Sequence, residues 1–192
     1  ISPDDRNLII EGSETRRKFI DGLISQIDKE YLNKLIDYNK TLKQRNALLK
    51  MFYNESEKIK KTIDIYDNSL SNSASIIIKK RTQFLKEFIP IFKQRYNQLS
   101  NEKEVVEIEY KTDLEDNLNL YQILKNNINK DIRYQYTTKG IHKDDMIFLI
   151  DKYSVKKFGS QGQQKTFLIA LKLAQFDYLS KLNKNPILLL DD

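Results

Sequence analysis

The sequence predicts a helix-rich, mixed α/β fold in which an α-helical arm interrupts an α/β domain. Three observations point there. Apolar residues recur at helical spacing from residue 13 to about residue 99, with short connections between the series. An alternating stretch at Val105, Val106, Ile108 and Tyr110 then reads as a strand. The chain closes on a strand–loop–helix–strand order that ends in the uninterrupted apolar run 186–190, the mark of a strand covered on both faces. Glycine and proline number only 5 and 3, which argues against an all-β architecture and long loops. The expected boundaries are an edge of the α/β domain at 1–12, the arm at 13–101, and the rest of the α/β domain at 102–192.

Taken in order, Ser2, Pro3, Asp4 and Asp5 suit the start of a short helix over 2–10, through a cap, a fixed φ and two carboxylates at the positive end of the dipole. Gly12 breaks the chain, and Ser13 can cap a second helix to about Ile27. Tyr31, Leu32, Leu35, Ile36, Tyr38, Leu42, Leu48 and Leu49 predict a third. A less regular helix follows over 55–70, then a polar, turn-like stretch at 68–73, and another long helix from about Ala74 to Leu99. Pro90 lies inside that helix and predicts a kink near Phe88–Phe92. Beyond the first strand come a helix near 114–129, strands at 133–138 and 146–150, and a turn at Gly140 between them.

Forty per cent hydrophobic and 31% charged residues describe a folded, soluble chain. With no cysteine and one histidine, His142, disulfides and thiolate metal sites are excluded, and a zinc site is not expected. No apolar run approaches the ~18–20 residues that span a bilayer, and no signal peptide opens the chain, so the expected setting is intracellular, with no membrane. The net charge of +6 is concentrated in residues 13–101, which hold 18 Lys/Arg against 10 Asp/Glu. Such a region can attract nucleic acid or an acidic partner, and it can equally be a lysine-rich solvated face. The chain starts at Ile1 and stops at Asp192 directly after an apolar strand, the pattern expected of a piece of a longer chain.

Two stretches carry chemistry. In Phe158-Gly159-Ser160-Gln161-Gly162-Gln163-Gln164-Lys165, Ser160 and Gln163 have the spacing of a capping box, each side chain able to satisfy the other's backbone donor. The helix behind is apolar on nearly every face (Phe167, Leu168, Leu171, Leu173, Ala174, Phe176, Leu179) and so is expected to be buried. Its start is either an ordinary capped turn or an anion site, where free N–H groups and the dipole favour phosphate. The second stretch, 186–192, is an apolar strand ending in Asp191 and Asp192. It reads as a buried strand leaving through a solvated turn, or as a Walker B strand, in which the first acid helps hold Mg²⁺ and the next acts on the attacking water. Basic clusters at Arg16-Arg17-Lys18, Lys43 with Arg45, and Lys79-Lys80-Arg81 are candidate DNA-phosphate contacts. His142 is either a phosphate contact or a structural residue after a glycine turn. The interleaved tyrosines and phenylalanines read as core.

A glycine-rich S-x-G-Q loop, one helix and a Walker B strand follow one another in ABC-type ATPase heads. The form Gly159-Ser160-Gln161-Gly162-Gln163-Gln164-Lys165-Thr166, followed by Leu188-Leu189-Leu190-Asp191-Asp192, resembles the RecF family. Gln161 stands where the usual signature has a glycine. Ser2-Pro3-Asp4-Asp5, Gly12-Ser13 with Arg16–Asp21, Leu42–Leu49, and Thr138–Asp145 also resemble RecF segments in order; Ile141 and Lys143 depart from the family's usual G-P-H-R-D-D.

The resemblance implies an ABC-type head interrupted by the helical arm, in a DNA-repair ATPase that binds ATP with Mg²⁺ and dimerises on it. It also implies binding to duplex, gapped or junction DNA and work with RecO and RecR to load recombinase. Ser160 and the backbone of Gly162 would reach the γ-phosphate held by the partner subunit, with Gly159, Gln161, Gln163 and Lys165 completing or supporting the loop. Asp191 would be the Mg²⁺-linked acid. Asp192 would be the general base, its short side chain contributing to slow hydrolysis. Cytoplasmic, nucleoid-associated localisation follows from the same likeness. No G-x-x-x-x-G-K-[ST] occurs in the sequence, so this chain alone is expected neither to bind ATP tightly nor to hydrolyse it. The alternatives are the head of another SMC-like or ABC ATPase, which would carry longer arms and a glycine at 161, and a non-enzymatic helical interaction module.

Overall fold

The computed structural model describes residues 3–51, 56–101, 103–114, 119–182 and 186–189. A 3-10 turn, Pro3–Arg6, leads into α1 (Asn7–Ile10). Then come α2 (Ser13–Ile27), α3 (Lys29–Met51), α4 (Ser56–Thr62) and α5 (Asp64–Ser100). Strand β1 (Val106–Lys111) precedes α6 (Leu120–Tyr134), and β2 (Asp145–Ile150) and β3 (Tyr153–Ser154) precede α7 (Val155–Phe158) and α8 (Gln161–Lys181). The chain forms two compact units: the first from Ile1–Leu23, Thr82–Lys111 and Asp145–Asp192, the second from Ile24–Arg81 and Thr112–Asp144. The compact units therefore divide the chain elsewhere than after residues 12 and 101, and α2 and α5 each contribute to both.

The first unit holds an antiparallel sheet ordered β1-β2-β3, with Val106 opposite Ile150 and Lys111 opposite Asp145. A two-residue hairpin at Asp151 and Lys152, both at positive φ, brings β3 back on β2. The core is aromatic. Phe167 of α8 is fully buried and packs on Phe92 at 4.7 Å and Phe148 at 5.1 Å, while Phe84 meets Phe88 at 5.1 Å and Tyr178 at 5.0 Å. Pro90 is accommodated inside α5 without ending it: the residue is exposed, so the carbonyl that loses its helical donor can turn to water. Residues 186–189 pair with no strand among the described residues, and Ile187 and Leu189 are exposed. The buried strand expected there is therefore not formed over its described part, 186–189. Residues 190–192 lie outside the described part.

The second unit packs Leu49 of α3, Ile59 and Ile63 against Ile132 of α6, with Leu48 and Ile128 at the margin. The turn expected at 68–73 is instead continuous helix: Leu70 is fully buried and Ser71 and Ser73 are nearly so, so the burial of this face overrides the turn propensity of its serines and asparagines. The strand expected at 133–138 is also absent. α6 runs to Tyr134 with its start capped by Asn119, whose side chain accepts from Tyr121 N–H, and it ends at Gln135 in the left-handed region. Helical burial of Leu124 and Ile132 outweighs the strand preference of the Tyr-x-Tyr-Thr-Thr stretch. Gly140, at φ +132, is required where it stands: a Cβ there would meet the Tyr38 hydroxyl at 2.6 Å.

Candidate functional site

The loop before α8 is built by local chemistry. Gly159 N–H donates to the Val155 carbonyl at 3.0 Å, and glycine suits the position because a Cβ at 159 would lie 2.6 Å from that same oxygen. The Gln164 amide then donates to the Gly159 carbonyl at 3.0 Å and fixes the turn. The capping box forms as its spacing predicts. Gln163 N–H donates to Ser160 Oγ at 3.2 Å, and Ser160 N–H donates to Gln163 Oε1 at 2.8 Å. Gln163 is held from its other end by Glu104, which accepts from its Nε2 at 2.8 Å and also from the hydroxyl of Tyr96. Burial, followed by the neighbouring Glu104, pushes the Tyr96 phenol above its usual range, so it stays a proton donor.

This arrangement leaves a small exposed donor set. Ser160, Gln161 and Gly162 are exposed, and the N–H groups of Gln161 and Gly162 have no partner among the described residues. Ser160 Oγ accepts from Gln163 and keeps its own hydrogen to donate. The first turn carries no acid, and Lys165 is exposed on the next. Behind the loop the helix is buried through Phe167, Leu168, Ala170, Leu171, Ala174, Tyr178 and Leu179, while the expected Leu173 and Phe176 are only half-buried. Gly162 is not explained by the fold: the nearest atom to a Cβ there is Ser160 Oγ at 3.9 Å. A glycine in the first turn of a helix, with open space above it, costs helix stability and suits close approach of a ligand to the backbone.

The two glycines therefore predict opposite outcomes. Gly159→Ala is expected to lower stability by about 1–3 kcal/mol, by overpacking against Val155. Gly162→Ala is expected to leave thermal unfolding unchanged or raise it slightly, by up to about 1 kcal/mol. Equal losses in the two variants would refute this division of roles.

The basic residues read from the sequence do not act alike. Arg45 is fully buried, donating from Nε to Asp67 at 2.6 Å and from Nη1 to Asp131 at 2.7 Å and to Thr137 at 2.8 Å. Arg81 is 3% exposed and donates to Asp144 at 3.0 Å, to Tyr31 and to the Ile141 carbonyl. Arg16 is 7% exposed and grips both oxygens of Asp145 at 2.8 and 2.9 Å, with Glu11 O as a third acceptor. As surface contacts for DNA these three are corrected, since each is buried and committed to a carboxylate. Arg17 is half-buried against Ser13. Lys80 is held by Asp28 at 2.6 Å and Glu30 at 3.3 Å, and its bond to Asp28 is the first cause that raises its pKa. Lys43 and Lys79 are exposed and have no ion pair among the described residues. His142 is held at both nitrogens, by Tyr38 Oη at 2.8 Å and by the Thr137 carbonyl at 3.0 Å, to which Nε2–H donates.

Asp191 and Asp192 lie outside the described residues, and among those described no cluster of three or more His, Cys, Asp or Glu could hold a metal ion. No described helix is long and apolar enough to cross a membrane. What sequence reasoning missed is the set of aspartates, Asp67, Asp131, Asp144 and Asp145, that absorb the arginines from distant parts of the chain.

No protein-family model matches the chain. It is 52% identical over 193 residues to the DNA replication and repair protein RecF of Flavobacterium johnsoniae, covering all of this chain and 54% of that protein. It is 47% identical to RecF of Cytophaga hutchinsonii, covering all of this chain and 51% of that protein. A solved structure of the recombination mediator protein RecF with ATP, of the RecFOR pathway, superposes with a TM-score of 0.89 at 33% identity, over all of this chain and 53% of that one. A second, RecF-ATPrS of the same pathway, gives 0.86 at 34% identity over 94% of this chain and 50% of that one. The chain spans about half the length of the curated relatives it matches. In sequence and in helix-rich mixed fold, over its whole length, the chain matches the RecF family of DNA replication and repair proteins.

Proposed function

We propose that this chain supplies the signature loop and the helical arm of a RecF-type DNA-repair ATPase, which dimerises on ATP, binds gapped or junction DNA, and works with RecO and RecR. The observation that carries the reading is the exposed, acid-free start of α8, where Gly162 is present without any need of the fold. The donor set fits a terminal phosphate: two backbone N–H groups, the Ser160 hydroxyl and the positive end of a 21-residue helix. Its exposure suits a phosphate presented from outside, by a second copy of the protein. When bound, ATP with Mg²⁺ supplies the phosphoryl group and the charge that this loop reads. The chain's own part is to hold that oxygen-rich end through Ser160, Gln161 and Gly162, with Gln163 and Glu104 keeping the loop in shape and Lys165 adding positive potential. Asp191 and Asp192 complete the reading as the metal-linked acid and the general base, and turnover is slow because an aspartate stands in the base position. The site of action is the bacterial cytoplasm, at the nucleoid.

The test is ATP-dependent dimerisation of the full-length protein, wild type against Ser160→Arg, followed by light scattering. The arginine side chain fills the exposed cap and removes the hydroxyl without touching the core, so the variant is expected to stay folded and monomeric with ATP. Equal dimerisation of the two proteins would refute the assignment of the loop.

A further inference from the structure

Among the second unit's described aromatic residues Tyr31 and Tyr38 are buried, but Tyr134 and Tyr136 are 51% and 43% exposed. Their rings lie 6.0 Å apart and tilted by 42°. Gln135, at φ +60, reverses the chain between the last residue of α6 and the loop, which brings two side chains two residues apart to the same side. The segment is firmly held. Thr137 N–H and Oγ1 donate to Asn46 Oδ1 at 2.8 and 2.7 Å, Arg45 donates to Thr137 Oγ1, and Thr138 donates to Asp131 through N–H and Oγ1 at 2.9 and 2.6 Å. The buried arginine of the sequence motif thus anchors the base of an exposed aromatic pair.

Positive charge surrounds it. Lys143 Nζ lies 5.1 Å from the Tyr136 ring centroid. Lys130 and Arg133, one turn apart at the end of α6, are exposed and have no ion pair among the described residues. Lys43, also exposed, is one helical turn from Asn46, the residue that holds Thr137. Two acids of the same unit are already occupied: Asp131 is buried with Arg45, and Asp113 is paired with Lys139 at 2.8 Å.

We propose that Tyr134 and Tyr136 form a stacking platform for an unpaired base of single-stranded DNA, with Lys43, Lys130, Arg133 and Lys143 taking the flanking phosphates. Every base has a π-face, so stacking on tyrosine holds single strands without reading sequence, and cations beside the rings follow the backbone. A duplex, with its bases already stacked, gains nothing from the rings. The proposal rests on the DNA reading above and adds to it the part of a gapped substrate that this surface recognises.

The experiment measures binding of the full-length protein to a single-stranded oligothymidylate and to a blunt duplex. Tyr134→Ala with Tyr136→Ala is expected to weaken single-strand binding about tenfold and to leave duplex binding unchanged. Tyr134→Phe with Tyr136→Phe is expected to bind as wild type does, because the ring and not the hydroxyl makes the contact. Equal losses on both DNAs, no loss on either, or a loss in the phenylalanine pair as large as in the alanine pair would each overturn the platform. Wild-type protein that binds neither DNA would instead overturn the DNA reading on which it rests.

Discussion

Arg45→Ala is expected to destabilise the protein by about 3–5 kcal/mol, the cost of breaking a buried ion pair from one side. The guanidinium is fully buried between Asp67 and Asp131, themselves 1% and 0% exposed. Removing it leaves two carboxylates in a medium of low dielectric with no cation to offset them. Asp131 keeps its two bonds from Thr138, whereas Asp67 has only Arg45 Nε, and its Oδ2 makes no hydrogen bond. Burial accordingly pushes the Asp67 carboxyl above its ordinary 3.8. The sign of the pH effect follows. With its pKa raised in the folded state, Asp67 binds a proton more tightly folded than unfolded, so its ionisation costs stability as pH rises from about 4 through the folded value. Asp67→Asn should therefore gain on wild type across that window, while Arg45→Ala should lose on it. Denaturant midpoints at pH 4 and pH 7 separate the two variants, and a loss below about 1 kcal/mol for Arg45→Ala would show that the network relaxes or hydrates instead.

Phe167→Ala should cost a similar amount, about 3–5 kcal/mol, by a different route. Phe167 is fully buried one turn beyond Gln163, where rings from α5 and β2 converge: Phe92 at 4.7 Å, Phe148 at 5.1 Å and Tyr96 at 5.9 Å. Truncation removes the contacts of a whole ring and leaves a cavity whose walls are themselves large, rigid side chains, so little collapse can fill it. Phe167→Leu should lose clearly less, because part of the volume remains. Thermal unfolding monitored by near-ultraviolet dichroism reads the change directly. Under the proposed function, ATP-dependent association of the full-length protein should fall with stability in Phe167→Ala but independently of it in Ser160→Arg, which distinguishes support of the loop from the loop itself.

The features legible in the sequence are those whose causes are local. The S-x-x-Q spacing specifies the capping box at Ser160 and Gln163, and the structure forms both of its bonds. Helices α2 and α3 fall where their apolar spacing puts them, and β1 follows its alternation to within a residue. The errors arise where distant residues decide. Nothing beside Arg45 shows that Asp67 and Asp131, 22 and 86 positions away, will bury it. A run of serines and asparagines at 68–73 looks like a turn until the apolar face that includes Leu70 is packed. Tyr134 and Tyr136 alternate as in a strand, yet Ile128 and Ile132 draw the preceding residues into a helix whose far end then exposes them.

The interrupted composition of the two units sets an order on their assembly. The second unit needs no residue later than Asp144, so its last segment leaves the ribosome before the first unit has its β2, β3 and α8. Residues 3–23 and the part of α5 beyond residue 81 must meanwhile wait as synthesised but unfinished chain, with Phe84, Phe88 and Phe92 lacking the Phe167 and Tyr178 that cover them. A nascent protein that holds an aromatic cluster open for the 75 residues from Phe92 to Phe167, several seconds of translation at about 5–20 residues per second, is one in which chaperone demand is set by the order of its segments rather than by final stability.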